Sequence, residues 1–234
     1  MLPPIQELVR AETDEEVAIW RERLVTIYQG LLSANSAYSS VVYFRIEGDE
    51  FAELVRVERS SRDSSRVRIV PKSRLQTRKA SRYLLSVAEM KPDEEITSLE
   101  SDPLGEFQSG DEQELVLASG VPVYDEKTEY VFGVVMIVCD IQQILRQQFS
   151  RPFQSQEVVA VSDASQVILR TEGGQVRESS IGCSLADTAP HFVEAANHLQ
   201  SNAEFVDESD GAIYGVRVAL SPKRSGLAYL LKRK

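Results

Sequence analysis

The chain has 234 residues, a length that suits one large domain or two small ones. Hydrophobic residues make up 42% of it and charged residues 26%, which is typical of a folded globular protein and excludes a disordered or collagen-like chain. Its 26 basic and 36 acidic side chains give a formal net charge of −10. This charge argues against nucleic-acid binding, because that binding depends on cations that neutralise phosphates.

The sequence contains no membrane span or secretion signal. No run approaches the roughly 18 apolar residues that cross a bilayer, and Met1-Leu2-Pro3-Pro4 leads into charged residues rather than an apolar core. We therefore expect either a cytosolic protein or the soluble part of a larger membrane protein. Cys139 and Cys183 have no metal-binding spacing, and the first closes an apolar run, which predicts a buried free thiol.

The first part of the chain predicts a long helix from about Ile5 to Ala34. Apolar residues recur there every three or four positions and give one apolar stripe. Thr13 and Glu16 have the spacing of a capping box, so the first turns are expected to form a separate short helix. The stripe predicts either packing against a core or a seam between two copies of the chain. It consists of Val17, Trp20, Leu24, Ile27 or Tyr28, and Leu31.

A hairpin and a second helix follow. Alternating apolar residues predict a strand from Tyr38, and Gly48-Asp49 turns the chain into a second strand over Phe51–Arg59. A serine-rich polar loop comes next, and helical spacing predicts a helix over Leu75–Met90. The acidic stretch Pro92–Glu114 predicts a long loop, of a length that often forms a lid or a variable insertion.

The remaining elements complete two similar units. Strands are predicted over Glu114–Tyr124 and Tyr130–Val138, and the second is so apolar that it should lie at the centre of a sheet. Asp140 should cap a helix that ends near Gln148. The second unit is predicted to consist of a hairpin over 158–169, a helix over 189–201, and strands over 204–207, 212–219 and 227–231. The repeated order predicts an α+β fold in which two antiparallel-sheet domains follow a long N-terminal helix.

Signatures of enzymes are mostly absent. The sequence has no G-x-S-x-G, G-x-G-x-x-G, G-x-x-x-x-G-K or H-E-x-x-H motif, and no pair of carboxylates stands out as an acid and a base. His191 and His198 are the two histidines, and they would lie about 10 Å apart on a helix, too far to share a metal ion without other ligands. These observations favour a binding module without a catalytic residue, a metal or a cofactor.

One region of the sequence offers a candidate small-molecule site. The predicted second helix carries Arg78, Arg82 and Tyr83, the acidic loop can cover it, and the central strands present Ser119 and Asp140 nearby. Arginine binds a carboxylate through two parallel hydrogen bonds, and Asp140 can accept a hydrogen bond from an amine or a hydroxyl. In the alternative interpretation, Arg82 pairs with surface acids and Asp140 only caps the following helix.

Eight basic residues lie close together between positions 62 and 82. They form either a dedicated basic patch or, in the interpretation that we favour, a solvated loop and helix face. The residues are Arg62, Arg66, Arg68, Lys72, Arg74, Arg78, Lys79 and Arg82.

Four groups of short segments carry a family resemblance. They are Tyr43-Phe44-Arg45-Ile46-Glu47-Gly48 with Glu53-Leu54-Val55-Arg56-Val57, Leu75-Gln76 with Tyr83, Pro122-Val123-Tyr124-Asp125 with Gly133-Val134-Val135 and Asp140, and Val159-Ala160-Val161-Ser162-Asp163 with Val167-Ile168-Leu169. In that order, they resemble the first hairpin, the helix with the pattern Leu-Gln-x-Lys…Tyr-Phe, the paired last strands and the start of the second unit of double Cache domains. These are tandem PAS-like sensor modules found outside the membrane in bacterial histidine kinases and related receptors. Ser165 stands where the family's turn normally has glycine.

The resemblance implies a domain organisation. A stalk helix over 1–37 would precede a membrane-distal domain over 38–151 and a smaller membrane-proximal domain over 152–234. The distal domain would bind a small carboxylate or amine. The chain would be the periplasmic or extracellular part of a receptor whose membrane segments lie outside this sequence.

The resemblance also implies how such a receptor would work. It would form a homodimer through the N-terminal helix and relay ligand occupancy through its flanking helices, most often to a histidine kinase and otherwise to a chemoreceptor or diguanylate cyclase output. Two other classes of function stay open from the residues alone. One is a soluble cytosolic enzyme with unrecognised catalytic carboxylates, and the other is a ligand-free module that uses its first helix for dimerisation or partner docking.

Overall fold

The computed structural model of the chain describes residues 3–60, 63–79, 81–91, 94–100, 116–125, 130–149, 156–162, 165–173, 175–180, 182–207, 212–219 and 226–233. These residues form two compact units. The first unit takes the described residues of Met1–Ile96 and Ala118–Cys139, and the second takes those of Thr97–Ser101 and Asp140–Lys234, together with Val116 and Leu117. The predicted boundary between 151 and 152 lies outside the described residues and stays a prediction.

Ten α-helices and strands of the described residues precede Asp140. They are α1 (Pro3–Arg10), α2 (Asp14–Ala34), β1 (Tyr38–Glu47), β2 (Glu50–Ser60), β3 (Asp63–Ile69), β4 (Thr77–Lys79), α3 (Arg82–Ala88), β5 (Ile96–Glu100), β6 (Val116–Tyr124) and β7 (Val131–Cys139). The strands pair in the order β3-β2-β1-β7-β6-β5, with β4 beside β2. The predicted hairpin and the predicted central position of the apolar strand β7 are therefore confirmed.

Helices α1 and α2 cover one face of the first sheet. Leu24 and Tyr28 of α2 pack with Val55 and Val57 of β2 in the core of this unit. The stripe predicted on the first helix is thus core packing over its central residues. Tyr28 and Tyr43 of β1 are fully buried there, and burial raises the pKa of both phenols well above the usual value.

The chain breaks between α1 and α2 where the capping box was predicted, and this box begins α2. The Thr13 hydroxyl accepts a hydrogen bond from the Glu16 backbone N–H at 3.2 Å, and the Glu16 carboxylate accepts one from the Thr13 N–H at 3.2 Å. Each bond satisfies a donor that the helix itself leaves without a partner. A hydrogen bond from the Glu12 backbone N–H at 3.0 Å, together with the two bonds to Thr13, lowers the pKa of the Glu16 carboxyl.

A β-bulge sets which residues of β2 face away from the helices. Tyr43 of β1 lies opposite Val55, whereas the next residue, Phe44, lies opposite Glu53, so Leu54 is the extra residue. Side chains alternate along a strand, and the bulge changes the parity. Val55 therefore faces α2, while Glu53 lies on the opposite face beside Phe44 and shares that face with Arg56.

The helix predicted over Leu75–Met90 is wrong in its first half. A short 3-10 turn at Lys72–Arg74 and the strand β4 stand there, and α3 begins after Ser81, whose hydroxyl accepts a hydrogen bond from the Leu84 N–H at 3.1 Å. The cause is long-range, because β4 pairs with residues 50–52 of β2. The serine-rich stretch predicted as a loop also contains a strand, β3, which pairs with the end of β2. Most of the acidic loop predicted over Pro92–Glu114 lies outside the described residues, and its described part contains β5.

The second unit repeats the arrangement on a smaller scale. Its helices and strands are α4 (Ile141–Phe149), β8 (Gln156–Ser162), β9 (Val167–Glu172), β10 (Gln175–Val176), α5 (Leu185–Thr188), α6 (Val193–Leu199), β11 (Glu204–Asp207), β12 (Ile213–Ala219) and β13 (Gly226–Arg233). The sheet has the order β10-β9-β8-β13-β12-β11, and one face packs against α5 and α6 around the buried ring of Phe192. Ser165 adopts φ 59°, the left-handed conformation that favours glycine, as expected from the family's turn.

No helix in the described part of the chain has both the length and the apolar character needed to cross a bilayer. Nor do three His, Cys, Asp or Glu side chains of the described residues come together as the ligands of a metal ion would.

The two cysteines are expected to differ sharply in reactivity. Cys139 is buried, and burial raises the pKa of its thiol from about 9 to about 11, whereas Cys183 is exposed. Because the thiolate is the reactive form, iodoacetamide at pH 8 should modify Cys183 quickly and Cys139 only after unfolding. The unfolded chain releases the Cys139 proton at lower pH than the folded chain, so this thiol should also lower stability as the pH rises from about 9 to about 11.

Mass spectrometry of the alkylated native protein measures this difference. A Cys183→Ser variant is the control, since it should show no fast modification. Equal rates for both thiols in the native wild-type chain would contradict the burial of Cys139.

Candidate functional site

A row of charged side chains crosses the face of the first sheet that points away from α2. Glu53 and Arg56 come from β2, and the carboxylate of Glu53 lies 2.9 Å from a guanidinium nitrogen of Arg78 on β4 and 3.7 Å from one of Arg56. Glu58, further along β2, lies 2.6 Å from Arg56 and accepts a hydrogen bond from Nε of Arg68 on β3 at 2.7 Å. Three strands thus contribute to one continuous ion-pair network.

The network runs from the protein interior to the surface. The side chain of Glu53 is fully buried, those of Arg56 and Arg78 are 10% and 12% exposed, and that of Arg68 is 53% exposed. Removing charges from water is costly unless each finds an opposite charge and hydrogen bonds. The inner pairs are therefore held in a buried setting, whereas Arg68 is paired with Glu58 but reaches solvent.

A cleft of about 530 Å³ opens over the outer part of this network. Its size lies in the range of small-molecule sites. Its walls come from β2, β3 and the turn that leads to β4. The lining residues are Arg56, Glu58, Arg68, Ile69, Val70, Pro71, Ser73, Arg74, Leu75 and Gln76.

The cleft is suited to an anion. Three of its lining residues are arginines, and Glu58 is the acidic one among them. Arg74 is exposed, and it forms no ion pair with any acidic side chain in the described part of the chain. Guanidinium groups bind carboxylates through paired, charge-assisted hydrogen bonds, so this wall can hold an acid group.

The cleft is joined to the long helix by direct hydrogen bonds. Nε of Arg21 on α2 donates to the backbone oxygen of Leu54 at 3.2 Å, and another of its guanidinium nitrogens donates to that of Val70 at 3.4 Å. Val70 is itself a lining residue. Nε of Arg59, at the end of β2, donates to the Tyr38 backbone oxygen at 2.8 Å. The cleft wall is thus attached to both α2 and β1.

One of the predicted site residues is part of this ion-pair network. Arg78 belongs to the buried network through Glu53. Arg82 lies at the start of α3 with an exposed side chain, next to the capping residue Ser81. The cleft lining does not include Arg82.

Tyr83 and Ser119 occupy the region where α3 meets β6. Tyr83 is buried, and its hydroxyl donates to the Ile96 backbone oxygen at 3.1 Å. Gly120 lies next to Ser119, and a Cβ atom there would come within 2.9 Å of the Tyr83 hydroxyl oxygen and 2.8 Å of a Val87 methyl group. The absence of a side chain at Gly120 therefore allows the close packing of α3, and Ser119 is half-buried beside it.

Asp140 is not brought together with Arg78. Arg78 lies level with Ile46 near one end of β1, whereas Cys139, which precedes Asp140, lies opposite Tyr38 at the other end. The eight strand positions between these two levels, at about 3.3 Å each, place Arg78 and Cys139 roughly 26 Å apart along the strand direction. Asp140 is exposed and accepts a hydrogen bond from the Gln143 N–H at 2.8 Å, which is the helix-capping role of the alternative interpretation.

Sequence reasoning did not find most of the cleft. Arg68 and Arg74 were noticed as members of the basic cluster, but the cluster was interpreted as a solvated surface. Glu53, Arg56 and Glu58 lie on the predicted second strand, and their charges at positions expected to alternate with apolar residues were the available signal. Charged side chains that alternate with apolar ones on a largely buried strand indicate partners of opposite charge.

The second unit has its own ion-pair cluster, and one small recess lies among its described residues. Glu157 of β8 lies 2.7 Å from Arg170 of β9 and 3.0 Å from Nε2 of His191, so His191 has a partner that the sequence did not reveal. A recess beside Arg217 and Ser165 holds only about 10 Å³. That volume is too small for an organic ligand.

The fold is shared with sensory domains of signalling proteins. The extracellular domain of vpHK1S-Z8, assigned as a histidine kinase, matches with a TM-score of 0.69 and 10% identity over 99% of this chain and 82% of its own. A domain of a protein from Vibrio parahaemolyticus, assigned to the sensory box/GGDEF family, matches with a TM-score of 0.68 and 12% identity over 99% and 84%. The sensory domain of the Campylobacter jejuni chemoreceptor Tlp3, with isoleucine bound, matches with a TM-score of 0.51 and 11% identity over 99% and 78%.

No protein-family profile and no curated protein matches the chain. The structural matches nevertheless extend over nearly the whole chain and include both units. They confirm the predicted α+β fold of two tandem PAS-like units behind an N-terminal helix, the fold of double Cache sensory domains.

Proposed function

We propose that this chain is the extracytoplasmic sensor domain of a membrane-bound signal-transduction receptor and that it binds a small molecule in its first unit. The observation that carries the proposal is the match, over 99% of the chain, to extracellular and sensory domains. The cleft of about 530 Å³ in the first unit supports a ligand site there.

We further propose that the output is a histidine kinase, as in the first of these neighbours. Chemoreceptor and GGDEF proteins among the neighbours make these the alternative outputs. In this view the chain lies in the periplasm or outside the cell, and membrane segments belong to other parts of the receptor. It binds its ligand without converting it.

Helix α2 is the proposed relay and the proposed seam of a homodimer. Ile19 and Leu31 expose 44% and 37% of their surface on this helix, although its central residues face the core. Arg21 connects the same helix to the cleft wall. A ligand transmits a signal only if it binds one arrangement of the protein better than another, and this connection supplies contacts that differ between arrangements.

A thermal-shift screen of the purified chain tests the proposed binding function. Small carboxylates, amines and sugars are added separately, and at least one is expected to raise the melting temperature, because a ligand that binds only the folded state stabilises it. At one hundred times its Kd the stabilisation is about 2.7 kcal/mol. A screen in which no compound raises the melting temperature would contradict ligand sensing and favour a ligand-free interaction module.

A further inference from the structure

We propose that the cleft takes a small organic acid without a cationic group, and that Arg68 and Arg74 hold its carboxylate. This inference rests on the proposed sensor function and specifies the ligand class of the same site. It narrows the carboxylate or amine expected from the sequence to a carboxylate alone.

The balance of charge on the cleft wall excludes a cationic ligand group. The lining contains three arginines and Glu58, and both oxygens of Glu58 are engaged. Oε2 lies 2.6 Å from Arg56, and Oε1 accepts a hydrogen bond from Arg68 at 2.7 Å. An ammonium group would therefore meet positive charge, and no carboxylate among the described lining residues is left to compensate it.

The inner part of the network increases this preference. Glu53, the second carboxylate, is fully buried and lies 2.9 Å from Arg78 and 3.7 Å from Arg56. Its charge is thus already compensated from two sides. Taken together, the network and Arg74 contain four arginines and two glutamates, and the surplus is positive.

The two outer arginines are the ones able to close on a ligand. Arg56 is 10% exposed and lies between two carboxylates, so moving it would break buried ion pairs. Arg68 is 53% exposed, and Arg74 is exposed without an acidic partner among the described residues. Arg74 can turn towards an acid group and bind it with paired hydrogen bonds, and Arg68 can donate to the same group from its remaining guanidinium nitrogen while Nε and its other terminal nitrogen stay on Glu58.

The rest of the lining requires an organic body on the acid. Val70, Pro71 and Leu75 supply apolar surface in the same cleft. Burial of hydrocarbon against this surface contributes free energy that an inorganic anion does not gain. The amide of Gln76 and the hydroxyl of Ser73 add hydrogen-bonding groups that suit a second acid or hydroxyl.

This ligand class differs from that of one structural neighbour. The Tlp3 sensory domain binds isoleucine, whose ammonium and carboxylate groups carry opposite charges at neutral pH. Among its described lining residues, the cleft offers guanidinium groups to a carboxylate and no uncompensated acid to an ammonium group. The shared fold and the different wall chemistry together predict a different ligand.

Thermal unfolding of the purified chain tests the ligand class, with succinate, citrate, isoleucine, ethanolamine and inorganic phosphate compared at equal ionic strength. We expect succinate or citrate to raise the melting temperature in proportion to the logarithm of concentration, and isoleucine and ethanolamine to leave it unchanged. Stabilisation by isoleucine or ethanolamine alone would overturn the inference and leave the proposed sensor function intact. Stabilisation by phosphate above that of both carboxylates would also overturn it, because the apolar wall would then play no part. No stabilisation by any of these five probes would overturn the inference about the ligand class, whereas the proposed sensor function is contradicted only if the wider screen, which includes sugars, also finds no ligand.

Three single variants locate the bound acid by isothermal titration with the stabilising carboxylate. Arg74→Ala should weaken binding by about tenfold or more, since it removes a charge-assisted hydrogen bond, while the melting temperature of the free protein stays unchanged. Arg10→Ala, the matched control, removes the same charge from an exposed pair with Glu7 on α1 and should change affinity by less than about twofold. Arg82→Ala tests the anchor predicted from the sequence. Loss of binding in Arg82→Ala with full binding in Arg74→Ala would place the acid at α3 and overturn the inference.

Discussion

Replacing Glu53 by glutamine is expected to lower the free energy of unfolding by about 3 kcal/mol, because one partner of a buried ion pair disappears. The Glu53 carboxylate is fully buried and lies 2.9 Å from Arg78 and 3.7 Å from Arg56. Glutamine keeps the shape of the side chain but leaves the adjacent guanidinium charges less compensated, and the cost of a buried charge is large when its counter-charge is removed. Urea unfolding followed by circular dichroism measures the loss.

The matched control is Glu47→Gln on β1. Glu47 pairs with Arg45, but their side chains are 41% and 46% exposed, and ion pairs so exposed contribute about 1 kcal/mol or less. The two substitutions are chemically identical, so the difference between them measures burial. If both substitutions lowered the free energy of unfolding equally, the ion-pair network around Glu53 would not be buried.

A methyl group added at Gly133 should destabilise the chain by about 2–3 kcal/mol. A Cβ atom built there lies 2.6 Å from the Phe44 carbonyl oxygen and 2.6 Å from a ring carbon of Tyr43. The carbonyl belongs to the neighbouring central strand β1, and Tyr43 is fully buried, so neither can move aside without disturbing the sheet. Chemical unfolding of Gly133→Ala measures this effect.

Replacing Gly30 by alanine should instead raise the free energy of unfolding. Gly30 lies on the exposed side of α2, and no atom lies within 4 Å of the position its Cβ would take. Alanine in a helix interior is more stable than glycine by about 0.5–1 kcal/mol, because glycine loses more conformational freedom. A Gly30→Ala variant that destabilises as much as Gly133→Ala would show that the steric argument is wrong.

The sequence predicted best those elements that are determined by neighbouring residues. The capping box at Thr13, the apolar central strand β7 and the helix that follows Asp140 all depend on interactions within a few positions, and all three are present. The repeated order of strands and helices was enough to predict two units and the α+β class. Local periodicity carries this information because it reflects which face of each element is buried.

The cleft was missed because it depends on pairings between distant residues. Strands β3 and β4 are short and polar, and they are strands because they pair with β2. Their pairing turns Arg68 and Arg78, which resembled a solvated basic cluster in the sequence, towards the carboxylates of Glu58 and Glu53. Propensity and periodicity along the chain do not indicate which strands lie side by side. The network depends on that pairing, so it could not be predicted from local pattern.

Adjacent residues of β2 border two different surfaces, because side chains alternate along a strand. Val55 and Val57 pack among the side chains of α2, while the residue between them, Arg56, borders the cleft. A single peptide unit therefore separates a side chain that lines the cleft from one that contacts the helix. Because buried ion pairs hold Arg56 against its own strand and its neighbours, a shift of β2 at the cleft would also shift the backbone that contacts α2.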